Sequence, residues 1–150
     1  MIGDNYVIKE FSIFDFQRVC EVFMKAFNET WNDEWTIETA RMYLQELLDN
    51  KRFVGFTSWE NNSLIGFAFC HIRYNWRGDD MTIDLMGISP GYQRKGYGEM
   101  LIKAVENFSK EKSLIGIGLT TGLNKPAFYF YEKLGFKNSE DAAVMGKGIK

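Results

Sequence analysis

Hydrophobic positions in this chain recur at two spacings, about every second residue as in strands and about every 3.6 residues as in helices. Asn5 to Phe11 reads as a short first strand, and Ser12 with Asp15 three residues on supplies a cap for a helix starting near Ile13. Phe16, Val19, Cys20, Phe23 and Phe27 then fall on one helical stripe. Asn28 to Trp35 breaks the pattern, and Thr36 caps a second helix with Ala40, Tyr43, Leu44, Leu47 and Leu48 on one face. Phe53 to Trp59 and Leu64 to Tyr74 form a hairpin across the turn residues Glu60 to Ser63. After the polar connection Asn75 to Met81, Thr82 to Ile88 continues the antiparallel meander.

Tyr97, Leu101, Ala104, Val105 and Phe108 return the chain to helical spacing, predicting a helix from about Gly96 to Lys112 and then a strand from Ser113 to Thr121. Strand, helix and strand in this order make a right-handed crossover, so Thr82 to Ile88 and Ser113 to Thr121 are expected to be parallel neighbours. Pro126 opens a last helix that Gly135 ends, and the tail carries one or two weak strands. The fold class expected is α+β, with a mixed, mostly antiparallel sheet of six or seven strands flanked by about four helices. All 150 residues form one domain in this reading, because the chain fills one core and is short for two.

Composition narrows the partners. A net charge of −2 without a dense basic stripe gives no reason to expect nucleic acid, and no apolar run approaches the ~20 residues that span a bilayer. With no signal peptide at the polar N-terminus, the expected location is cytoplasmic, and the oligomeric state is left open, a homodimer included. Cys20 and Cys70 lie in separate apolar runs without zinc-site spacing, so they read as buried free thiols and no metal is expected.

The chemistry concentrates at Gln93, Arg94, Lys95, Gly96, Tyr97 and Gly98, between a buried strand and a helix start. The first turn of a helix carries unpartnered N–H groups and a partial positive charge, and so accepts a phosphate. Gly96 and Gly98 leave the backbone open to an anion, and Arg94 and Lys95 add charge. Leu101 stands where the dinucleotide fingerprint needs a third glycine, which disfavours a nicotinamide site. Taken alone, the hexapeptide fits a plain turn with a solvated basic pair equally well.

In context, the chain resembles the GNAT superfamily of N-acetyltransferases, whose signature is Gln or Arg, two residues, Gly, one residue, Gly or Ala after the fourth strand. Gln93 to Gly98 matches it, Leu85 to Tyr92 is similar to the family's strand end and loop, and Asn124 to Phe136 to its later motif. The resemblance implies acetyl-coenzyme A as co-substrate, bound along Met86, Ile88, the turn Gln93 to Gly98, Asn124 and Tyr131. It also implies that the fourth and fifth strands part near Gly87, where a mid-strand glycine marks a bulge or a close approach. There the Met86 N–H faces the thioester oxygen as an oxyanion donor, and the Ile88 backbone bonds the pantetheine.

Tyr131 occupies the family's general-acid position; by spacing alone, Phe128, Tyr131 and Leu134 are a packing stripe. Asn124 is a cofactor contact or a plain helix-entry residue. The glutamate that some members carry on the fourth strand is Thr82 here, which cannot act as a base. Asp84, two residues on, and His71, the only histidine, are the substitutes, with a water chain as a third route. Trp31 and Trp35, among Glu29, Asp33 and Glu34, are suited to hold a cationic amine by stacking and charge and read as a pocket lid, and Asp84 is a further candidate contact of the acceptor. Trp76, Asp79 and Asp80 form a second candidate wall. The expected acceptor is a small primary amine, with a protein amino group second; the alternative from another class is an acyl-coenzyme A sensor without catalysis.

Overall fold

A computed structural model of the chain describes residues 5–150, which fall into two compact units, Met1–Thr120 and Thr121–Lys150. In the first unit, β1 (Tyr6–Glu10), β2 (Phe53–Glu60), β3 (Ser63–Arg73), β4 (Asp80–Ile88) and β5 (Ile117–Leu119) make one sheet in the order β1-β2-β3-β4-β5. All pairs are antiparallel except β4 with β5, which is parallel across α3 (Tyr97–Glu111). The crossover expected from the sequence is thus present.

The sheet has five strands rather than six or seven, and residues 134–150 contain none. The last strand is also shorter than the expected Ser113 to Thr121. Gly116 and Gly118 weaken that segment as a strand, and the tail is cut by Gly135, Gly146 and Gly148.

The two helical faces divide as the stripes dictate. On one face of the sheet, α1 (Phe16–Trp31) and α2 (Ile37–Leu48) bury Val19, Cys20, Phe23, Ala40 and Leu44 against Phe67, Phe69 and Leu85. The helix expected from Ile13 starts instead as a 3-10 turn, Ile13–Asp15, capped by the Ser12 side chain. Thr36 caps α2 in a reciprocal box with Thr39. On the other face, α3 buries Leu101, Ile102 and Val105, and its Phe108 meets Phe56 edge-on.

Both cysteines are buried and unpaired. Burial pushes the Cys20 thiol up to about 11, and pushes Cys70 higher still, with the Asp84 charge adding to it. Neither thiol is a nucleophile at neutral pH. Among the described residues no helix is long and apolar enough to cross a membrane.

Gly87 marks a close approach and not a bulge. It pairs in register with Phe67, and a Cβ there would lie 2.8 Å from the Phe67 ring and 3.5 Å from that of Phe27. Phe67 is fully buried and has nowhere to move. Gly87→Ala is therefore expected to destabilise the protein by about 1–3 kcal/mol. Denaturant unfolding reads this as a lower midpoint, and an unchanged midpoint would contradict the packing.

In the second unit, α4 (Pro126–Lys133) opens on its proline and closes on Gly135, as the sequence indicates. Gly135 is left-handed, its N–H bonds Glu132 O, and the Phe136 N–H bonds Tyr131 O. This is the Schellman closure, completed by the ring of Phe136 against that of Tyr131 at 5.6 Å.

Candidate active site

The bulge lies at Asp84. Phe69 of β3 faces Leu85 and Cys70 faces Ile83, so Asp84 is the extra residue on β4. It is also the residue at which β4 leaves β5, since β5 pairs with β4 only over Met81, Thr82 and Ile83. From Asp84 to Ile88, β4 has a strand partner on the β3 side alone.

The polarity of that open edge follows from one hydrogen bond. Ser89 N–H donates to Ile65 O at 2.7 Å, which makes the neighbouring pair Gly66 and Ile88 a non-hydrogen-bonded one. The N–H and C=O of Ile88, and by the period of two those of Met86, accordingly point away from β3 into the open edge. The strands part at Asp84, three residues before Gly87, the position that the resemblance implied.

The carbonyl end of this edge is already engaged. Gln93 Nε2 donates to Ile88 O at 3.0 Å and reaches Thr30 Oγ1 at 3.4 Å. The glutamine side chain thus ties the strand end to the turn and to the last turn of α1, leaving anion contact to the backbone beyond it.

That backbone has the shape the glycines permit. Arg94 (φ 60°) and Gly96 (φ 96°) are both left-handed, and Gly96 is the N-cap of α3 without a side-chain cap bond. Such alternation turns successive N–H groups to one side, and no capping side chain competes for them. Arg94 and Lys95 are exposed, and Gly98 is the second helical residue. Tyr97 faces inward. It is 3% exposed, its hydroxyl donates to the buried Glu60 carboxylate at 2.5 Å, and its ring lies 5.2 Å from Tyr6. Its side chain anchors the helix start to β2, so only its backbone is available to an anion.

The two candidate bases are in contact. His71 Nδ1 lies 2.6 Å from Asp84 Oδ2, with the side chains 20% and 19% exposed. Thr82, the position that lacks a glutamate, stands opposite His71 in the register. By sequence His71 and Asp84 are alternative bases; the register of β3 with β4 makes them diagonal neighbours on one face, and that register is not announced by the spacing. Glu60, a turn residue by sequence, is instead the buried last residue of β2. A charged residue closing the apolar run Phe53 to Trp59 was the available signal of a buried role.

The loop between α1 and α2 is built on Asn28, which donates to Trp35 O at 2.9 Å and accepts from Trp35 N–H at 2.8 Å. The Trp35 indole stacks on Tyr43 at 5.1 Å, meets Phe23 edge-on, and donates Nε1 to Asp33. It is packed into the helical layer more than a lid would be. Trp31, at the end of α1, is 40% exposed, with Glu29, Asp33 and Glu34 exposed around it in sequence. In the second candidate wall, Trp76 is exposed, while Asp79 and Asp80 are taken up by Arg52 and Arg73; the Arg52 guanidinium lowers the Asp79 carboxyl below its ordinary range.

In the second unit, Asn124 is left-handed (φ 58°) and accepts from the Tyr129 hydroxyl at 3.3 Å, as a helix-entry residue would. Tyr131 is half-buried, with its ring also against Phe130.

The residues present suit a long thioester substrate. An open strand edge offers N–H groups at Met86 and Ile88 to an amide-containing arm, and the left-handed turn with an uncapped helix start suits a pyrophosphate.

Comparison with known proteins bears on the family and the fold. The model of the acetyltransferase (GNAT) family matches residues 16–136. The ribosomal protein bS18-alanine N-acetyltransferase of Haemophilus influenzae is 28% identical over 130 residues, 87% of this chain and 80% of its own. The streptothricin acetyltransferase of Streptomyces lavendulae is 29% identical over 89 residues, 59% of this chain and 45% of its own. Among solved structures, an aminoglycoside acetyltransferase from an uncultured soil metagenomic sample superposes with a TM-score of 0.80 at 19% identity, over 100% of both chains. A possible acetyltransferase from Clostridium difficile 630 gives 0.81 at 16% identity, over 98% of this chain and 100% of its own. These likenesses extend the fold over both units of the chain. The family match across most of the sequence settles the affiliation: this chain belongs to the acetyltransferase (GNAT) family and is a GNAT-type N-acetyltransferase.

Proposed function

We propose that the chain moves the acetyl group of acetyl-coenzyme A to a primary amine, foremost that of a small molecule, by direct attack with both substrates held together. The observation that carries this reading is the open β4 edge from Asp84 to Ile88, continuous with the left-handed turn at the start of α3.

Acetyl-coenzyme A supplies an activated acetyl thioester. The Met86 N–H, already aimed into the open edge, donates to the carbonyl oxygen as it gains charge, a contact worth roughly 3 kcal/mol. Ile88 bonds the pantetheine through its N–H, since its carbonyl is held by Gln93. The N–H groups from Lys95 to Gly98, with the Arg94 and Lys95 side chains, hold the pyrophosphate. Asp84 stands at the mouth of the edge, where the amine must lose a proton. The Tyr131 hydroxyl gives the departing sulfur its proton, a role that rests on the match of Asn124 to Phe136 with the family's later motif. We take residues 1–150 as one such acetyltransferase domain, working in the cytoplasm with Cys20 and Cys70 as thiols.

For the acceptor, the exposed Trp31 with Glu29, Asp33 and Glu34 favours a cationic amine, and a relative named for streptothricin favours a small one. A protein amino group is the second reading, supported by the Haemophilus influenzae relative named for a ribosomal protein alanine. Incubation with acetyl-coenzyme A and a panel of a polyamine, an aminoglycoside, amino acid derivatives and an alanine-initiated peptide, read by product mass spectrometry, distinguishes them. Acetylation of a non-peptide amine is expected. Acetylation of the peptide alone would replace the first reading with the second.

A further inference from the structure

The contact between His71 and Asp84 gives the chain a base different from a lone carboxylate. We propose that His71 Nε2 takes the proton from the acceptor amine, with Asp84 as the positioning residue that orients the imidazole through Nδ1. This deepens the acetyl-transfer reading and rests on it.

The argument starts from the register. Phe67, Phe69 and His71 alternate along β3 onto the face covered by α1 and α2, and Thr82 stands opposite His71. Asp84 lies two residues beyond Thr82 on the same face of β4, and its carboxylate reaches the His71 ring diagonally across the two strands at 2.6 Å. A carboxylate only accepts hydrogen bonds, so in the neutral imidazole the proton sits on Nδ1, toward Asp84, and the lone pair is on Nε2. Because Asp84 is the first β4 residue beyond the β5 pairing, the pair of His71 and Asp84 stands at the strand position where the edge opens, two residues before Met86.

Other charges near the ring are committed elsewhere. Arg73, two residues along β3, is bonded to Asp80, and Arg52, one residue before the β2 partner Phe53, is bonded to Asp79. On β3, Cys70 points to the opposite face as a neutral thiol. From the covering helices, Leu44 and Leu47 face the core, while Glu38, Arg41 and Glu46 of α2 and Glu21 and Lys25 of α1 are exposed. Asp84 is thus the ionisable group set against the imidazole. With about a fifth of each side chain still exposed, the pair is accessible, unlike a bridge sealed into the core.

The step balances without another reagent. The ammonium of the acceptor gives a proton to Nε2, and the imidazolium charge is offset by the Asp84 carboxylate. The amine nitrogen bonds the acetyl carbon, the carbon–sulfur bond breaks, and the sulfur takes a proton from Tyr131, which is replaced by the second proton lost from the nitrogen, while the proton on Nε2 passes to solvent. The products are an amide and a thiol.

The test uses the full chain, acetyl-coenzyme A and whichever of the polyamine, aminoglycoside or alanine-initiated peptide is turned over fastest. His71→Gln keeps a donor for Asp84 but removes the base. It is expected to lower kcat about 100-fold, within the usual range for acid–base groups, with KM for acetyl-coenzyme A unchanged. The acid limb of the kcat/KM profile is expected to disappear, Asp84→Asn is expected to lower kcat, and added imidazole is expected to restore turnover in His71→Ala. A purely structural bridge moves none of the pH limb or the imidazole rescue. A His71→Gln variant with the wild-type kcat and acid limb overturns the base assignment while leaving acetyl transfer intact. Wild-type protein that turns over no amine overturns both.

Discussion

Gly98→Leu is expected to weaken acetyl-coenzyme A binding about 100-fold in calorimetry while leaving the melting temperature close to that of the wild type. The two effects have separate origins. Gly98 is the second residue of α3, where the higher helix propensity of leucine, by roughly 0.5–1 kcal/mol, offsets the cost of seating a side chain at a half-buried position. The binding loss arises because a side chain at the first turn keeps the phosphate from the backbone N–H groups. Two charge-assisted bonds at about 1.5 kcal/mol each account for the hundredfold. The side chain of Gln93 is held by Ile88 O, and that of Tyr97 by Glu60, so neither is placed to compensate. Unchanged affinity would remove the pyrophosphate from this turn.

Tyr131→Phe is expected to lower kcat about 100-fold, again within the range for a positioned acid, with KM for acetyl-coenzyme A close to the wild type. The variant retains the aromatic contact with Phe136 and the backbone closure through Tyr131 O, so α4 keeps its C-terminal cap. Loss of rate without loss of stability separates a proton donor from a packing residue. Wild-type kcat in Tyr131→Phe would return the tyrosine to the packing stripe of Phe128 and Leu134.

Much of the fold could be read because local signals agree with global ones. Although α1 starts three residues after Ile13 and runs on past Asn28 to Trp31, the Thr36 cap, the Pro126 start, the Gly135 stop and the stripes of α2 and α3 stand where the sequence puts them. These depend on neighbours in sequence, and periodicity reports neighbours well. What could not be read depends on long-range register. The extra residue at Asp84 is invisible in a run such as Thr82 to Ile88, because both alternations it allows look like a half-buried strand. Gly87 drew attention as the conspicuous irregularity, yet its reason is the Phe67 ring on the next strand.

The same division holds at the site. The turn from Gln93 to Gly98 was legible because a helix start beside glycines has a chemistry of its own. The inward turns of Tyr97 and Gln93 were not, since their partners Glu60 and Ile88 come from β2 and β4. Trp35 was suited to a lid by composition, but Phe23 and Tyr43 take its faces. The link between Asp84 and His71 likewise depends on the register of β3 with β4, which sets Thr82 opposite the histidine.

The most direct measurement is the initial rate of thiol release with acetyl-coenzyme A and the acetylated amine both varied. Direct transfer within a ternary complex predicts reciprocal plots that intersect, and negligible release when the amine is omitted. Parallel lines, or binding of acetyl-coenzyme A without turnover on any amine, would contradict it.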